Sequence, residues 1–236
     1  MIAGFRNTAL RRALTGSALS SYGTAKTGLA KSQFSRGIVS ATNAGGTQSV
    51  TGVIKHDHCE LEDYYNRIIS TNDPDEQARY QNLFVWELAR HSIGEELVVY
   101  PAFEKFLPNG EQMATKDRKE HHLAVLTRDW QVKEKLYEFQ NRKPGDARFA
   151  TTLLALFKDL KQHMKEEEEE DLVALEGAIE DGHSEKLARS FERTKMFVPT
   201  RSHPRAPDKP PFETVAGLMT APLDKVRDMF AKFPKD

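Results

Sequence analysis

The chain has 236 residues, 29% of them charged, with a formal net charge of -1, which suits one sizeable domain with tails. That balance argues against a nucleic-acid binder, and the single cysteine, Cys59, excludes an intramolecular disulfide framework. No run of eighteen apolar residues exists, so no membrane-spanning helix is expected.

The charge is unevenly placed. The first 56 residues hold no Asp or Glu, yet they carry Arg6, Arg11, Arg12, Lys26, Lys31, Arg36 and Lys55. Residues 1–50 are rich in Arg, Ser, Thr, Ala and Gly, the composition of a mitochondrial transit peptide. Phe5, Leu10, Leu14 and Leu19 line a rough apolar stripe flanked by Arg6, Arg11 and Arg12. Phe34-Ser35-Arg36-Gly37-Ile38 resembles an arginine-containing processing site, so residues 1–37 are expected to be the targeting segment and 38–49 a flexible linker. The expected location is the mitochondrion, in the matrix. The alternative is a disordered basic tail on a cytoplasmic protein.

Beyond residue 50, Gly and Pro are nearly confined to boundaries, and apolar positions recur at helical spacing. A first helix is expected from Gln48 or Val50 to Ile69, carrying Ile54, Leu61, Tyr65 and Ile68. Asn72-Asp73-Pro74 breaks it, and Asp73 caps a second helix with Pro74 in its first turn. That helix carries Tyr80, Phe84, Leu88, His91, Glu95, Leu97 and Val98, bends at Pro101 and ends near Phe106. Pro108-Asn109-Gly110 is a turn. The third helix is expected from Glu111 to Asn141, with Arg118, His122, Val125, Asp129, Val132, Leu136 and Phe139 on one face. After Lys143-Pro144-Gly145-Asp146, a fourth runs from Ala147 to Ile179 with Ala150, Leu153, Phe157, Leu160, His163, Glu167 and Leu175 on one face. Strand-like alternation is absent, so the fold expected for residues 50–180 is all-α, an up-down-up-down four-helix bundle. Residues 181–236 form a C-terminal extension, with extended segments and short helices packing on the bundle.

The chemistry gathers on the inward faces. His91 and Glu95 lie four residues apart on one helix face, as do His163 and Glu167. Counting from the helix ends brings His58, His91, His122 and His163 to one layer within about 9 Å, at ~1.5 Å rise per residue. His121 rivals His122 from the neighbouring stripe, while His56, two residues from His58, cannot share its face. Carboxylates buried without a cation are costly or become protonated, and a pair of metal ions removes that problem. Imidazoles with carboxylates suit iron, manganese or zinc. Tyr65, Glu96 and Glu168 are candidates for orienting the histidines from behind.

The ordered series Ile54-Lys55-His56-Asp57-His58, His91-Ser92-Ile93-Gly94-Glu95-Glu96 with Tyr100-Pro101, Glu120-His121-His122 and His163-Met164-Lys165-Glu166-Glu167-Glu168 resembles the hemerythrin-like HHE cation-binding family. The run from Phe191 through Val198-Pro199-Thr200-Arg201-Ser202-His203-Pro204 to Thr214 is similar to the tail of fungal members. The resemblance implies two non-haem iron ions bridged by oxygen and carboxylates. On its pattern His58 and His91 bind one iron, His122 and His163 the other, and Glu95 and Glu167 bridge them. Two departures stand out. Oxygen-carrying members have a second histidine four places along helix three, where this chain has Leu126 after His122 and Val125 after His121. The Val132-Lys133-Glu134-Lys135-Leu136-Tyr137 segment also aligns Asp129 with an expected histidine, which makes Asp129 a rival ligand.

The function expected is a non-haem di-iron protein that binds dioxygen or a related small oxidant, peroxide or nitric oxide, in redox, oxygen or iron handling. No catalytic residue and no organic substrate are assigned. Ferritin-like sites use Glu-x-x-His pairs, whereas here His precedes Glu by four. The alternative is a helical scaffold, metal-stabilised or metal-free, that meets a protein partner or a second copy through its extension.

Overall fold

The computed structural model describes residues 48–122, 132–203 and 212–235, and leaves aside the side chains of 119–122 and 212–219. The expected targeting segment, most of the linker and Asp129 lie outside the described residues, as do the side chains of His121 and His122. Among the described residues every regular element is helical.

Helix α1, Val50–Ser70, starts where the Ser49 hydroxyl accepts a hydrogen bond from the Gly52 amide at 3.0 Å. Helix α2, Pro74–Gly94, starts where Asp73 accepts from the Asp75 amide, with Pro74 in the first turn, where its missing N–H is not needed. The chain then passes through a π-helical turn, Glu95–Val99, into α3, Tyr100–Phe106. The departure from regular α-helix therefore comes at Glu95–Val99, ahead of Pro101, which sits in the first turn of α3. Helix α4 spans Gly110–His122, and α5 spans Val132–Gln140. Helix α6, Phe149–Glu166, repeats the arrangement seen in α2. It leads through a second π-helical turn, Glu167–Asp171, into α7, Leu172–Ala178. Helices α8, His183–Lys195, and α9, Phe212–Asp228, make up the extension.

Two inward faces differ from expectation. Among the described side chains of α4 the buried positions are Gly110, Ala114 and Asp117, whereas Arg118 is largely but not fully covered, its guanidinium over the Tyr100 ring and bonded to Glu104 at 2.6 Å. The guanidinium stays at the edge because a surface carboxylate satisfies it there. In α6 the stripe begins with buried Phe149, and Ala150 is exposed, because the ring has far more apolar area to remove from water.

The apolar side chains form two clusters. One holds Leu61, Ile68, Phe84, Leu88, Phe139, Leu153 and Leu160; the other holds Ile54, Val99, Tyr100, Phe103, Leu172, Leu175 and Phe191. Three helical paths run from one cluster to the other, and each carries its polar residues in between. On α1, His58 lies between Ile54 and Leu61. His91 and Glu95 lie between Leu88 and Val99, and His163 and Glu167 between Leu160 and Leu172. A buried polar layer thus divides the core. Tyr65 belongs to the apolar side, stacked on Phe157 at 3.7 Å between ring centroids.

Helix α8 packs on α1 and α2, and its Phe191 enters the second cluster. Met196, Phe197, Leu223, Val226, Met229 and Phe230 remain exposed. No helix among the described residues is long and apolar enough to cross a membrane.

The α3–α4 turn needs glycine. A Cβ on Gly110 would lie 1.7 Å from the Phe103 carbonyl oxygen, a backbone atom that cannot swing aside. Gly110→Ala is expected to destabilise the chain by about 3 kcal/mol, the upper end for overpacking, as read by urea denaturation. A cost under about 0.5 kcal/mol would show that this turn opens freely.

Candidate metal centre

His58, His91, Glu95 and Glu167 converge in the polar layer, each with a ligand atom within 4.8 Å of the others, and all four are buried. The two imidazole Nε2 atoms are 3.2 Å apart. Glu95 Oε1 lies 2.8 Å from His91 Nε2, and Glu167 Oε2 lies 3.4 Å from His58 Nε2. The opposite ring nitrogens are fixed by carboxylates. His58 Nδ1 donates to Glu168 Oε1 at 2.8 Å, and His91 Nδ1 donates to Asp57 Oδ2 at 3.0 Å. With Nδ1 carrying the proton, each neutral ring presents an Nε2 lone pair to the cluster, the arrangement of metal-ligating histidines backed by carboxylates.

Both glutamates are the first residue of a π-helical turn, and both follow a histidine by four. The Glu95 amide reaches the carbonyls of His91 and Ser92, and the Glu167 amide reaches those of His163 and Met164. Single π-helical turns inside α-helices recur at functional sites.

The charges in this layer are strongly coupled. Burial alone would lower the His91 pKa, but the Glu95 charge and the Asp57 hydrogen bond outweigh it and raise the imidazolium to about 10. His58 goes the other way, lowered by burial and by the charge on His91 against the pull of Glu168. Glu167 is held well above the usual carboxylate range by burial, then by the charges of Glu95 and Asp117. With both glutamates ionised, no described group donates a hydrogen bond to either Glu167 oxygen. A buried carboxylate in that position calls for a proton or a cation. A divalent ion held by these donors would supply that positive charge in place of the His91 Nε2 proton. The donor set therefore fits a metal.

Of the expected ligands, His58, His91, Glu95 and Glu167 come together. His163 is buried one turn before Glu167 on α6, outside the group of four. Of the expected orienting residues, Glu168 holds His58, Glu96 is buried beside Glu95, and Tyr65 is elsewhere. Exposed His56 lies 3.9 Å from Glu60, away from this group. Sequence reasoning gave no role to Asp57, Asp117, Asp171, Glu87 or Lys195, all of them buried. Asp57, Glu60 and Glu87 form a second carboxylate group, and an ammonium already occupies it: Lys195 Nζ lies 2.5 Å from Asp57 Oδ2 and 2.6 Å from Glu87 Oε1. Asp57 adjoins His58 in the sequence and could have been suspected from that; Lys195, 138 residues from Asp57, carried no such signal.

The metal-free protein is expected to weaken in alkali. The raised His91 value means that its stabilisation is complete below its ordinary 6.5 and is lost as pH climbs toward 10. Glu167, raised well above its ordinary 4.5, acts in the same direction, its contribution being complete below 4.5 and lost as pH rises through its folded value. Urea denaturation should show stability falling between about pH 7 and about pH 9.5, with His91 contributing up to about 1.4 kcal/mol per pH unit. A level or rising profile would contradict this charge arrangement.

Residues 49–175 match the family model described as the hemerythrin HHE cation binding domain. The chain is 52% identical over 186 residues to an uncharacterized hemerythrin-like protein of Schizosaccharomyces pombe, an alignment covering 78% of this chain and 88% of that protein. It is 22% identical over 171 residues to a protein of Nostoc sp. named a DNA nickase, covering 71% of this chain but only 46% of that protein. No solved structure matches the chain. A family model spanning more than half the sequence and a relative sharing half its residues over most of both lengths agree, and the chain belongs to the hemerythrin HHE cation-binding domain family.

Proposed function

We propose that this chain is a non-haem di-iron protein that handles dioxygen or a related small oxidant, peroxide or nitric oxide. One observation carries the reading: two buried histidines have Nδ1 bound to carboxylates and Nε2 turned toward each other and toward two buried glutamates. Such a donor set suits iron, and the family is one of cation-binding domains. His58, His91, Glu95 and Glu167 would hold metal. His163, with His122 or its neighbour His121 from α4, would complete the second ion's set. Asp117 of α4 is buried, and its charge acts on Glu167, so it would be a further donor on that side. When bound, iron supplies exchange between ferrous and ferric states toward a small oxidant.

The chain's own residues do the rest. Glu168 and Asp57 keep the His58 and His91 rings turned inward. The two apolar clusters exclude bulk water from the layer. Burial and the charges of Glu95 and Asp117 keep the Tyr100 hydroxyl protonated.

The second reading is a scaffold that associates through the extension, supported by exposed Leu223, Val226, Met229 and Phe230 on and after α9. The two readings separate on metal content. Anaerobically purified full-length chain is expected to hold about two iron ions, with near-ultraviolet bands appearing on admission of air. His91→Ala should keep the helical signal and lose most of the iron. A well-folded chain with no metal, or with a single zinc ion at low occupancy, would favour the scaffold.

We also propose import into the mitochondrion, on the acid-free, arginine-bearing first fifty residues. Residues 1–50 fused to a fluorescent protein should carry it to mitochondria. Uniform cytosolic fluorescence would contradict import.

A further inference from the structure

Helix α8 lies beyond the residues that match the family model, yet two of its side chains reach the centre. Phe191 and Lys195 are four residues apart and both buried on one helix face. The Phe191 ring meets the His91 ring edge-on, with centroids 5.8 Å apart and planes at 86°. The same phenyl ring covers Gly94, where a Cβ would lie 2.7 Å from Cε2. Lys195 acts from behind. Its ammonium contacts Asp57 Oδ2, the same oxygen that accepts the His91 Nδ1 proton, and also bonds to Glu87.

We propose that α8 is a positioning element for the metal centre, with Lys195 holding Asp57, and through it the His91 ring, while Phe191 packs against the ring's edge. This rests on His91 being a metal ligand. The physical reason lies in Asp57. A carboxylate on a short side chain can rotate, and the ring it orients then turns with it. An ammonium bonded to that oxygen and to Glu87 removes the freedom. Carboxylates behind ligating histidines govern metal affinity strongly, so a group that fixes the carboxylate has leverage over metal retention. The competing role for Lys195 is neutralising two buried carboxylates with no effect on the centre.

The test uses the full chain loaded anaerobically with ferrous iron, competed against a chromophoric ferrous chelator. Lys195→Met is expected to lower ferrous affinity about 10–100-fold. Lys195→Arg, which keeps a cation beside Asp57, should recover most of it. Thermal melting of the metal-free variants reports folding separately. If Lys195→Met fails to fold, Lys195→Met combined with Glu87→Gln removes one of the stranded charges. Affinity still depressed in that folded double variant supports positioning, and affinity restored to the unaltered level overturns it. A folded Lys195→Met chain that binds iron as well as the unaltered one also overturns it. An unaltered chain that binds no ferrous iron defeats the metal reading itself, and this inference with it.

Discussion

Two buried imidazoles, each fixed at Nδ1 by a carboxylate, are the constraint on which the rest of this structure depends. His58 on Glu168 and His91 on Asp57 leave both Nε2 atoms facing Glu95 and Glu167 in a layer without bulk water. Such a layer is unfavourable by itself, since buried carboxylates need positive charge close by. Without a metal, the proton on His91 and the ammonium of Lys195 provide it. A bound metal ion would supply charge in the first of these places, and Lys195 would keep the second.

The fold accommodates that layer by splitting its core. Apolar residues above and below make two clusters, and three helical paths cross from one to the other through the polar residues. The crossings after His91 and His163 both pass into π-helical turns beginning on a glutamate. The second cluster is finished by Phe191 of the extension, so α8 contributes to the centre as well as to the hydrophobic core.

Much of this was legible in the sequence. Asp73 begins its helix as the expected capping residue, and His91 with Glu95 and His163 with Glu167 fall on inward faces as four-residue spacing requires. Periodicity is blunter at stripe edges. Asp117 and Arg118 are adjacent, and a charged residue at either place fits a helical pattern; tertiary partners, Glu104 and the Tyr100 ring, decide that the guanidinium sits at the edge while Asp117 is buried. Tyr65 follows His58 by seven, on the same stripe but two turns away, which puts it against Phe157 rather than the histidines. The π-helical turns escape a reading by period, because each is a single stretch of five residues inside a longer helical pattern. Lys195 was out of reach for another reason. Its partners Asp57 and Glu87 are set by tertiary packing of α8 on α1 and α2, and a lone lysine on an amphipathic helix ordinarily reads as solvated.

The most direct test of the central claim is an anomalous-difference map collected at the iron absorption edge on crystals grown with iron. The account predicts a peak bounded by His58 Nε2, His91 Nε2 and the carboxylates of Glu95 and Glu167, with a second peak on the His163 side of Glu167. A chain that binds iron only at surface carboxylates, leaving this layer without a peak and His91 protonated against Glu95, would contradict it.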